Sequence, residues 1–199
     1  RLSMFDHFER FAKGVIDAYR YLIDRVADAR LRLYLYHIPQ VTAVGLSQHV
    51  IATLKRLYPD TIVGIKDSQC ERAHSVALAD AFMRDVRVYV GFEPDLPELA
   101  RRGSTGAVSG LANFMPRLVH ALVAEHASAA TAARVARVRD LLARLEPYAL
   151  IPALKGIMAL LDDDTGWLRV RPPLVALEPG ALAALRQSIG AVGIDRATD

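Results

Sequence analysis

Cysteine and lysine are scarce in this sequence of 199 residues. The one cysteine, Cys70, excludes an internal disulfide bond and any metal site built from several cysteines. Only four of the 25 lysine and arginine residues are lysines, at positions 13, 55, 66 and 155. Arginine therefore supplies most of the positive charge, and a lysine at the end of an apolar run calls for an explanation.

Features that mark several other classes of protein are absent as well. No cluster of lysine and arginine indicates a surface for nucleic acid or lipid, and the net charge is only +3. No apolar run approaches the roughly 18 residues of a membrane span, and no signal peptide is visible. The six histidines are scattered without an H-x-x-x-H pair, so no metal site is expected. We therefore expect a cytoplasmic protein that binds neither nucleic acid nor membranes.

Helical and strand-like patterns alternate along the first half of the chain. Amphipathic spacing predicts helices at 14–28, 46–58, 71–84 and 95–102. Ser47 is the expected N-cap of the second of these. Short apolar runs predict strands at 31–38, 61–65, 86–90 and 105–109. Further helical segments, rich in alanine and leucine, are predicted at 115–126, 128–145, 153–162 and 179–192. Strands that alternate with helices pair in parallel, so the fold class is α/β.

The residues at the strand ends distinguish between two α/β architectures. An open nucleotide-binding sheet should carry a glycine-rich phosphate loop, and neither G-x-G-x-x-G nor G-x-x-x-x-G-K-[ST] is present. A (β/α)8 barrel places its chemistry at the C-terminal ends of its strands. In this sequence those ends carry Tyr36, Lys66, Gly91 and Ser109. The pattern therefore favours a barrel, although four predicted strands are half of the eight that a barrel requires.

Lys66 directly follows the apolar run T-I-V-G-I and precedes Asp67. Partial burial at the end of a strand disfavours the charged ammonium and leaves a neutral amine that can attack a ketone. The resulting iminium is an electron sink, which permits carbon–carbon bond formation or cleavage without a metal. The alternative is that Lys66 extends to solvent or pairs with Asp67, since structural ion pairs also perturb titrating groups.

Tyr36 ends the first predicted strand, three residues before Pro39. A phenol beside an imine-forming lysine can transfer protons while the imine forms and collapses. The alternative is that Tyr34 and Tyr36 are simply aromatic residues that favour a strand. His37 alternates to the other face of that strand, so a packing role is expected for it.

Four motifs resemble one enzyme family in their order and spacing. They are Y-H-I-P at 36–39, G-I-K-D at 64–67, V-G-F-E at 90–93 and G-A-V-S at 106–109. Together they resemble the dihydrodipicolinate synthase / N-acetylneuraminate lyase family of class I, Schiff-base pyruvate aldolases. The resemblance implies strands five to eight of a TIM (β/α)8 barrel, incomplete here, with a C-terminal helical extension. The implied domains are a partial barrel at 1–114 and a helical region at 115–199.

The same resemblance implies an activity and a set of site residues. Lys66 matches the lysine that forms the covalent imine, and Tyr36 matches the tyrosine that transfers protons. Gly91, Val108 and Ser109 match positions around the bound keto acid. The implied function is an aldolase, lyase or dehydratase that acts on pyruvate or another 2-keto acid and an aldehyde, without a cofactor, as a homodimer or homotetramer. A catalytically inactive relative with a binding or structural role is the alternative.

Two departures from the family pattern bear on the substrate and on completeness. Val41 stands where true dihydrodipicolinate synthases carry an arginine for the carboxylate of the second substrate, and a hydrophobic side chain cannot replace that arginine. The second-strand G-T-T-G-E loop, which holds the pyruvate carboxylate, and a tyrosine from the neighbouring subunit are not found. Residues 1–13 look like the first helix of the family, so we expect strands two to four to be missing near the Lys13–Gly14 step.

Overall fold

The computed structural model describes residues 4–194, with side chains from residue 8 onward. Contacts within the chain define two compact units. The first comprises the residues up to Phe92 together with Arg102–Gly106. The second comprises Glu93–Arg101 and the residues from Ala107 onward. Each unit has fully buried aliphatic residues of its own, such as Ile65 in the first.

A long helix, α1 (Met4–Val26), begins the first unit. It starts earlier than the predicted helix 14–28. The residues before position 14, which resemble the first helix of the family, belong to the same unbroken helix from Met4 onward. Ile16 and Ile23 are seven residues apart, lie on one face of the helix and are buried. The helix ends before Ala27, whose φ of 49° lies in the left-handed region.

Four strands form one sheet in the order β1-β2-β3-β4. They are β1 (Leu33–His37), β2 (Ile62–Asp67), β3 (Arg87–Val90) and β4 (Gly106–Ala107). β1 pairs with β2 in parallel, and so does β2 with β3, as predicted. The register aligns Tyr36 with Lys66 and Lys66 with Tyr89, so these three residues lie on the same face of the sheet. The fold is therefore α/β with parallel strands.

The two faces of this sheet differ in exposure. The back face carries Leu35 and Ile65, which are almost fully buried. The front face carries Tyr34, Tyr36 and Lys66, and its two tyrosines are 46% and 44% exposed. Successive side chains of a strand point to opposite faces, so the alternation of buried and exposed residues follows directly from the extended backbone.

Two helices pack on the strands of the first unit. They are α3 (Gln48–Leu57) and α4 (Arg72–Phe82), and a single turn, α2 (Pro39–Thr42), precedes them. Leu54 and Leu78 are fully or almost fully buried on their inner sides. The Ser47 hydroxyl accepts the Val50 N–H at 3.3 Å, which confirms Ser47 as the N-cap of α3. The tyrosine after α3 is followed by proline, which cannot continue the helix.

The last predicted strand, 105–109, is longer than the observed one. Only Gly106–Ala107 form β4, so the predicted strand was wrong at its C-terminal end. The Ser109 hydroxyl instead accepts the N–H groups of Leu111 at 3.1 Å and Ala112 at 3.3 Å. A serine that bonds to the backbone ahead of it favours a turn over a strand, and a 3-10 turn follows here.

Helices make up most of the second unit. They are α5 (Leu96–Arg101), α6 (Pro116–Ala124), α7 (Thr131–Leu145), α8 (Leu150–Asp162) and α9 (Pro179–Gly190), with 3-10 turns at Glu93–Asp95, Leu111–Asn113 and Thr165–Leu168. α8 packs against α9, and α7 packs against both α6 and α9. Leu122, Leu141 and Ile157 are fully buried in this unit. The predicted C-terminal helices are therefore present. Within residues 4–194, no helix combines the length and apolar character that a membrane crossing requires.

Candidate active site

The side chains of Tyr36 and Lys66 meet on the front face near the C-terminal ends of β1 and β2. Lys66 Nζ lies 3.0 Å from the Tyr36 hydroxyl and 4.2 Å from the centroid of its ring. The parallel register explains this contact, because it sets the two residues beside each other on neighbouring strands. Tyr36 is exposed and Lys66 is partly buried, so a small molecule can reach the amine.

Gly91 follows β3 and leaves space beside Lys66. A Cβ atom at this position would overlap the Ser68 hydroxyl and would lie 3.0 Å from Lys66 Cε. The Gly91 N–H donates to the Asp67 carbonyl at 2.7 Å, which holds two strand ends together. Ser68 is buried and also adjoins this space. The glycine of the V-G-F-E motif thus has a steric role, because a side chain there would displace the lysine stem or the serine.

A buried carboxylate on the back face follows Lys66 in the chain. Asp67 is 1% exposed, and its oxygens accept the Gln69 N–H at 3.1 Å and the Ser75 hydroxyl at 2.6 Å. Nδ1 of His74 lies 3.1 Å from the same carboxylate. Asp67 was the alternative ion-pair partner of Lys66, but strand alternation directs the two side chains to opposite faces. Asp67 instead joins the end of β2 to the first turn of α4.

His37 forms a second set of hydrogen bonds on the back face. It is 4% exposed, its Nδ1 accepts the Leu46 N–H at 2.9 Å, and its Nε2 lies 2.6 Å from the side-chain oxygen of Gln69. The acceptor role of Nδ1 assigns the ring proton to Nε2, which then donates to Gln69. His37 does lie on the face opposite Tyr36, as predicted. Its role extends beyond packing, because its hydrogen bonds order the loop that precedes α3.

Three side chains of this network bring possible metal-ligand atoms close together. Ligand atoms of His37, Asp67 and His74 all fall within 4.8 Å of one another. The two imidazole rings stack, with centroids 4.5 Å apart and planes inclined by only 16°. Because a ring nitrogen binds a metal in the plane of its ring, nearly parallel stacked rings do not direct both lone pairs to one ion. We therefore interpret the cluster as a hydrogen-bonded network, which the sequence did not reveal because His37 stands far from the other two members in the chain.

The remaining predicted site residues belong to the second unit. Val108 is 49% exposed. The Ser109 hydroxyl donates to the Glu93 carboxylate at 2.5 Å, and Glu93 is buried. The predicted contact of Val108 and Ser109 with a keto acid stays a prediction. The bond between Ser109 and Glu93 was not predicted, although both residues stand in the quoted motifs.

Comparison with known proteins identifies related sequences. The profile of the dihydrodipicolinate synthetase family matches residues 10–192. An uncharacterized DapA-like lyase of Chloroflexus aurantiacus is 34% identical over 180 residues, which are 87% of this chain and 57% of that protein. A 4-hydroxy-tetrahydrodipicolinate synthase of Erythrobacter litoralis is 30% identical over 190 residues, which are 91% of this chain and 61% of that protein. The chain thus spans about three-fifths of the length of these relatives.

Solved structures have a similar fold. Dihydrodipicolinate synthase from Agrobacterium tumefaciens matches with a TM-score of 0.80 at 28% identity, over 91% of this chain and 61% of that one. The enzyme from Acinetobacter baumannii, complexed with pyruvate, gives a TM-score of 0.74 at 25% identity, over 92% of this chain and 62% of that one. N-acetylneuraminate lyase from Fusobacterium nucleatum gives a TM-score of 0.70 at 17% identity, over 91% of this chain and 60% of that one. This match shows a likeness of fold alone.

Proposed function

Because this chain belongs to the dihydrodipicolinate synthetase family, we propose that the whole protein is a lyase that binds pyruvate or a related 2-keto acid as a Schiff base on Lys66. The 3.0 Å contact between Lys66 Nζ and the Tyr36 hydroxyl is the observation that carries this proposal. The pyruvate complex of the Acinetobacter relative supports the choice of keto acid. We also propose that the four strands are half of a (β/α)8 barrel, which the match to about three-fifths of each relative supports.

The proposed reaction begins when the neutral amine of Lys66 attacks the ketone carbon of pyruvate. The carbinolamine loses water, and the protonated imine that remains withdraws electrons from the neighbouring methyl carbon. Loss of a proton from that carbon gives an enamine, which attacks the carbonyl carbon of an aldehyde. The same steps in reverse cleave the carbon–carbon bond. Hydrolysis of the imine releases the keto acid and restores Lys66, and no metal or other cofactor takes part in this proposed sequence.

Tyr36 is proposed to carry protons in these steps. Its hydroxyl is within hydrogen-bonding distance of the reacting nitrogen, which is the first geometric requirement for a general acid or base. It can accept a proton from the attacking amine and return it to the hydroxyl group that leaves the carbinolamine. Because the phenol is exposed on the front face, the same group is also within reach of a second substrate.

The second substrate is proposed to be an aldehyde that does not place a carboxylate group against Val41. Val41 is 74% exposed on α2, which begins at the proline of the Y-H-I-P motif. Valine cannot form the two parallel hydrogen bonds with which arginine binds a carboxylate. We therefore propose a pyruvate aldolase, or a sugar-acid lyase or dehydratase, rather than an enzyme of lysine synthesis. Homo-oligomeric assembly and a cytoplasmic location stay predictions.

Trapping with borohydride tests the Schiff base directly. The protein is incubated with pyruvate and sodium borohydride, digested and mapped by mass spectrometry. We expect Lys66 to gain the mass of pyruvic acid less one oxygen atom, because imine formation loses water and borohydride then reduces the imine to a stable secondary amine. Lys66→Arg should abolish the adduct, whereas Lys13→Arg, at an exposed lysine of α1, should leave it unchanged. An adduct found only at other lysines, or no adduct at all, would contradict the proposed function.

A further inference from the structure

A cavity of about 480 Å³ borders the N-terminal ends of β1, β2 and β3. Four cationic side chains line it: Arg32, Lys55, Arg84 and Arg87. One carboxylate, that of Asp85, lines it as well. The volume falls within the range of small-molecule sites, roughly 300–1,000 Å³. This basic cavity therefore combines room for a small ligand with an excess of positive charge.

Main-chain carbonyl groups orient two of these cations. Arg32 Nη1 donates to the carbonyls of two preceding residues, both at 2.9 Å. Lys55 Nζ donates to the carbonyls of Pro59 at 2.6 Å and Ile62 at 3.0 Å. A guanidinium has five N–H donors and an ammonium has three, so each group keeps donors that these bonds do not use. The carbonyls fix the two side chains without neutralising their charge.

An aromatic side chain positions the third cation. Arg87 Nη1 donates to the Tyr34 hydroxyl at 2.8 Å, and this hydrogen bond raises the pKa of Arg87 above its ordinary value. The Tyr34 ring occupies the space where a Cβ at Gly64 would stand, and its centroid lies 6.0 Å from that of the Tyr89 ring. Glycine at position 64 thus makes room for the tyrosine that orients Arg87. The Tyr34 hydroxyl accepts from Arg87 and keeps its own proton to donate.

Ion pairs with the described side chains do not explain why these four cations lie together. Among the residues whose side chains the structure describes, none of the four cations of the basic cavity forms a salt bridge. Other arginines of the same unit do so: Arg30 pairs with Asp28 at 2.7 Å, and Arg102 pairs with Asp80 at 3.1 Å. The basic cavity therefore brings together positive groups whose charge no bonded carboxylate among the described side chains balances.

We propose that the basic cavity binds a small anion that carries a phosphate group. The planar guanidinium forks of Arg84 and Arg87 match the spacing of phosphate oxygens. Hydroxyl donors complete the set: Tyr34 has a free proton, and Thr105 Oγ1 accepts the Val88 N–H at 3.1 Å, which leaves its proton for a ligand. The proposal stands on these contacts alone and does not depend on the chemistry proposed for Lys66.

Isothermal titration with sodium pyrophosphate and with sodium phosphate tests this site, with ionic strength held constant by sodium chloride. We expect both phosphate compounds to bind. The double variant Arg84→Gln/Arg87→Gln should weaken the affinity by at least about tenfold, because charge-assisted hydrogen bonds to phosphate are lost. Arg56→Gln removes one charge from an exposed residue of α3 outside the cavity. It should weaken the affinity by less than about twofold, because salt screens distant surface charges.

Arg84→Gln alone keeps the test decisive if the double variant fails to fold. Arg84 is exposed, and its side chain has no hydrogen bond or ion pair with the described residues, so the single variant should keep the wild-type circular dichroism spectrum. We expect a severalfold loss of affinity from it. Equal losses from Arg84→Gln and Arg56→Gln would overturn the proposal, because they would indicate unspecific attraction to surface charge. Failure of both phosphate compounds to bind the wild-type protein would overturn it as well.

Discussion

The front and back faces of β1 and β2 carry polar groups of two different kinds. On the front face, Tyr36 and Lys66 contact each other and stay accessible. His37 follows Tyr36 in the chain and Asp67 follows Lys66, and both lie on the back face. They are buried, and they form hydrogen bonds with the loops that follow their strands and with α4. One step along a strand therefore separates groups that can react from groups that hold the strand ends in place.

This comparison predicts two separable kinds of mutational effect. A front-face group makes few contacts that folding depends on, so its replacement should change reactivity and leave stability nearly intact. A buried back-face group leaves unpaired partners behind when it is removed, so its replacement should destabilise the fold. If the back-face network also sets the position of Lys66, the two effects will mix, and substitutions at the two faces measure how far they do.

The largest effect on stability is expected from Asp67→Ala. The substitution leaves the Ser75 hydroxyl and the Gln69 N–H without their buried acceptor, which should cost about 3 kcal/mol in the free energy of unfolding. Urea denaturation monitored by circular dichroism measures this loss. The control is Asp60→Ala at an exposed position, which should change stability by less than about 0.5 kcal/mol. A loss for Asp67→Ala no larger than that of the control would show that the network does not hold the strand ends.

A smaller effect, on reactivity alone, is expected from Tyr36→Phe. Removal of the hydroxyl should slow borohydride trapping of pyruvate on Lys66 by about 100-fold, the lower range for a general acid or base. Stability should stay within about 0.5 kcal/mol of the wild-type value, because Tyr36 is 44% exposed. Tyr21→Phe, at a tyrosine that is 70% exposed on α1, is the matched control and should trap pyruvate at the wild-type rate. An unchanged rate for Tyr36→Phe would remove this residue from the proposed mechanism.

The contact between Tyr36 and Lys66 could be predicted because their motifs resemble those of one family, and the alternation of strands and helices agrees with that resemblance. Both residues stand near the ends of apolar runs, and parallel neighbouring strands bring their C-terminal ends together. Ser47 could be predicted as a cap because that preference is local. The extent of the last strand could not be predicted. The Ser109 hydroxyl accepts hydrogen bonds from the main chain that follows it, and these bonds favour a turn over a longer strand.

The back-face network and the basic cavity could not be predicted, because their members are brought together only by packing. His37 and His74 stack across two separate elements, and neither stands in a spacing that signals contact. Arg87 and Tyr34 are 53 residues apart, and their contact depends on the space left by Gly64. A glycine in a strand indicates close approach of another group, but it does not say which group approaches.

The smallest effect is expected from Asp28→Asn, which sharpens the comparison by testing a carboxylate that is far less buried than Asp67. Asp28 accepts three hydrogen bonds, all from Arg30, and the side chain of Asp67 also takes part in three, but the Asp28 side chain is 38% exposed whereas that of Asp67 is 1% exposed. The side-chain and backbone hydrogen bonds from Arg30 lower the pKa of Asp28. A carboxyl group whose pKa is lower in the folded state stabilises the protein above its unfolded pKa of about 3.9, and this contribution is lost as the pH falls through the folded value. Urea midpoints should therefore show a small loss for Asp28→Asn near neutral pH that disappears in acid. A loss that persists unchanged in acid would mean that the charge of Asp28 does not stabilise the fold. A loss as large as that of Asp67→Ala would mean that burial does not separate the two carboxylates.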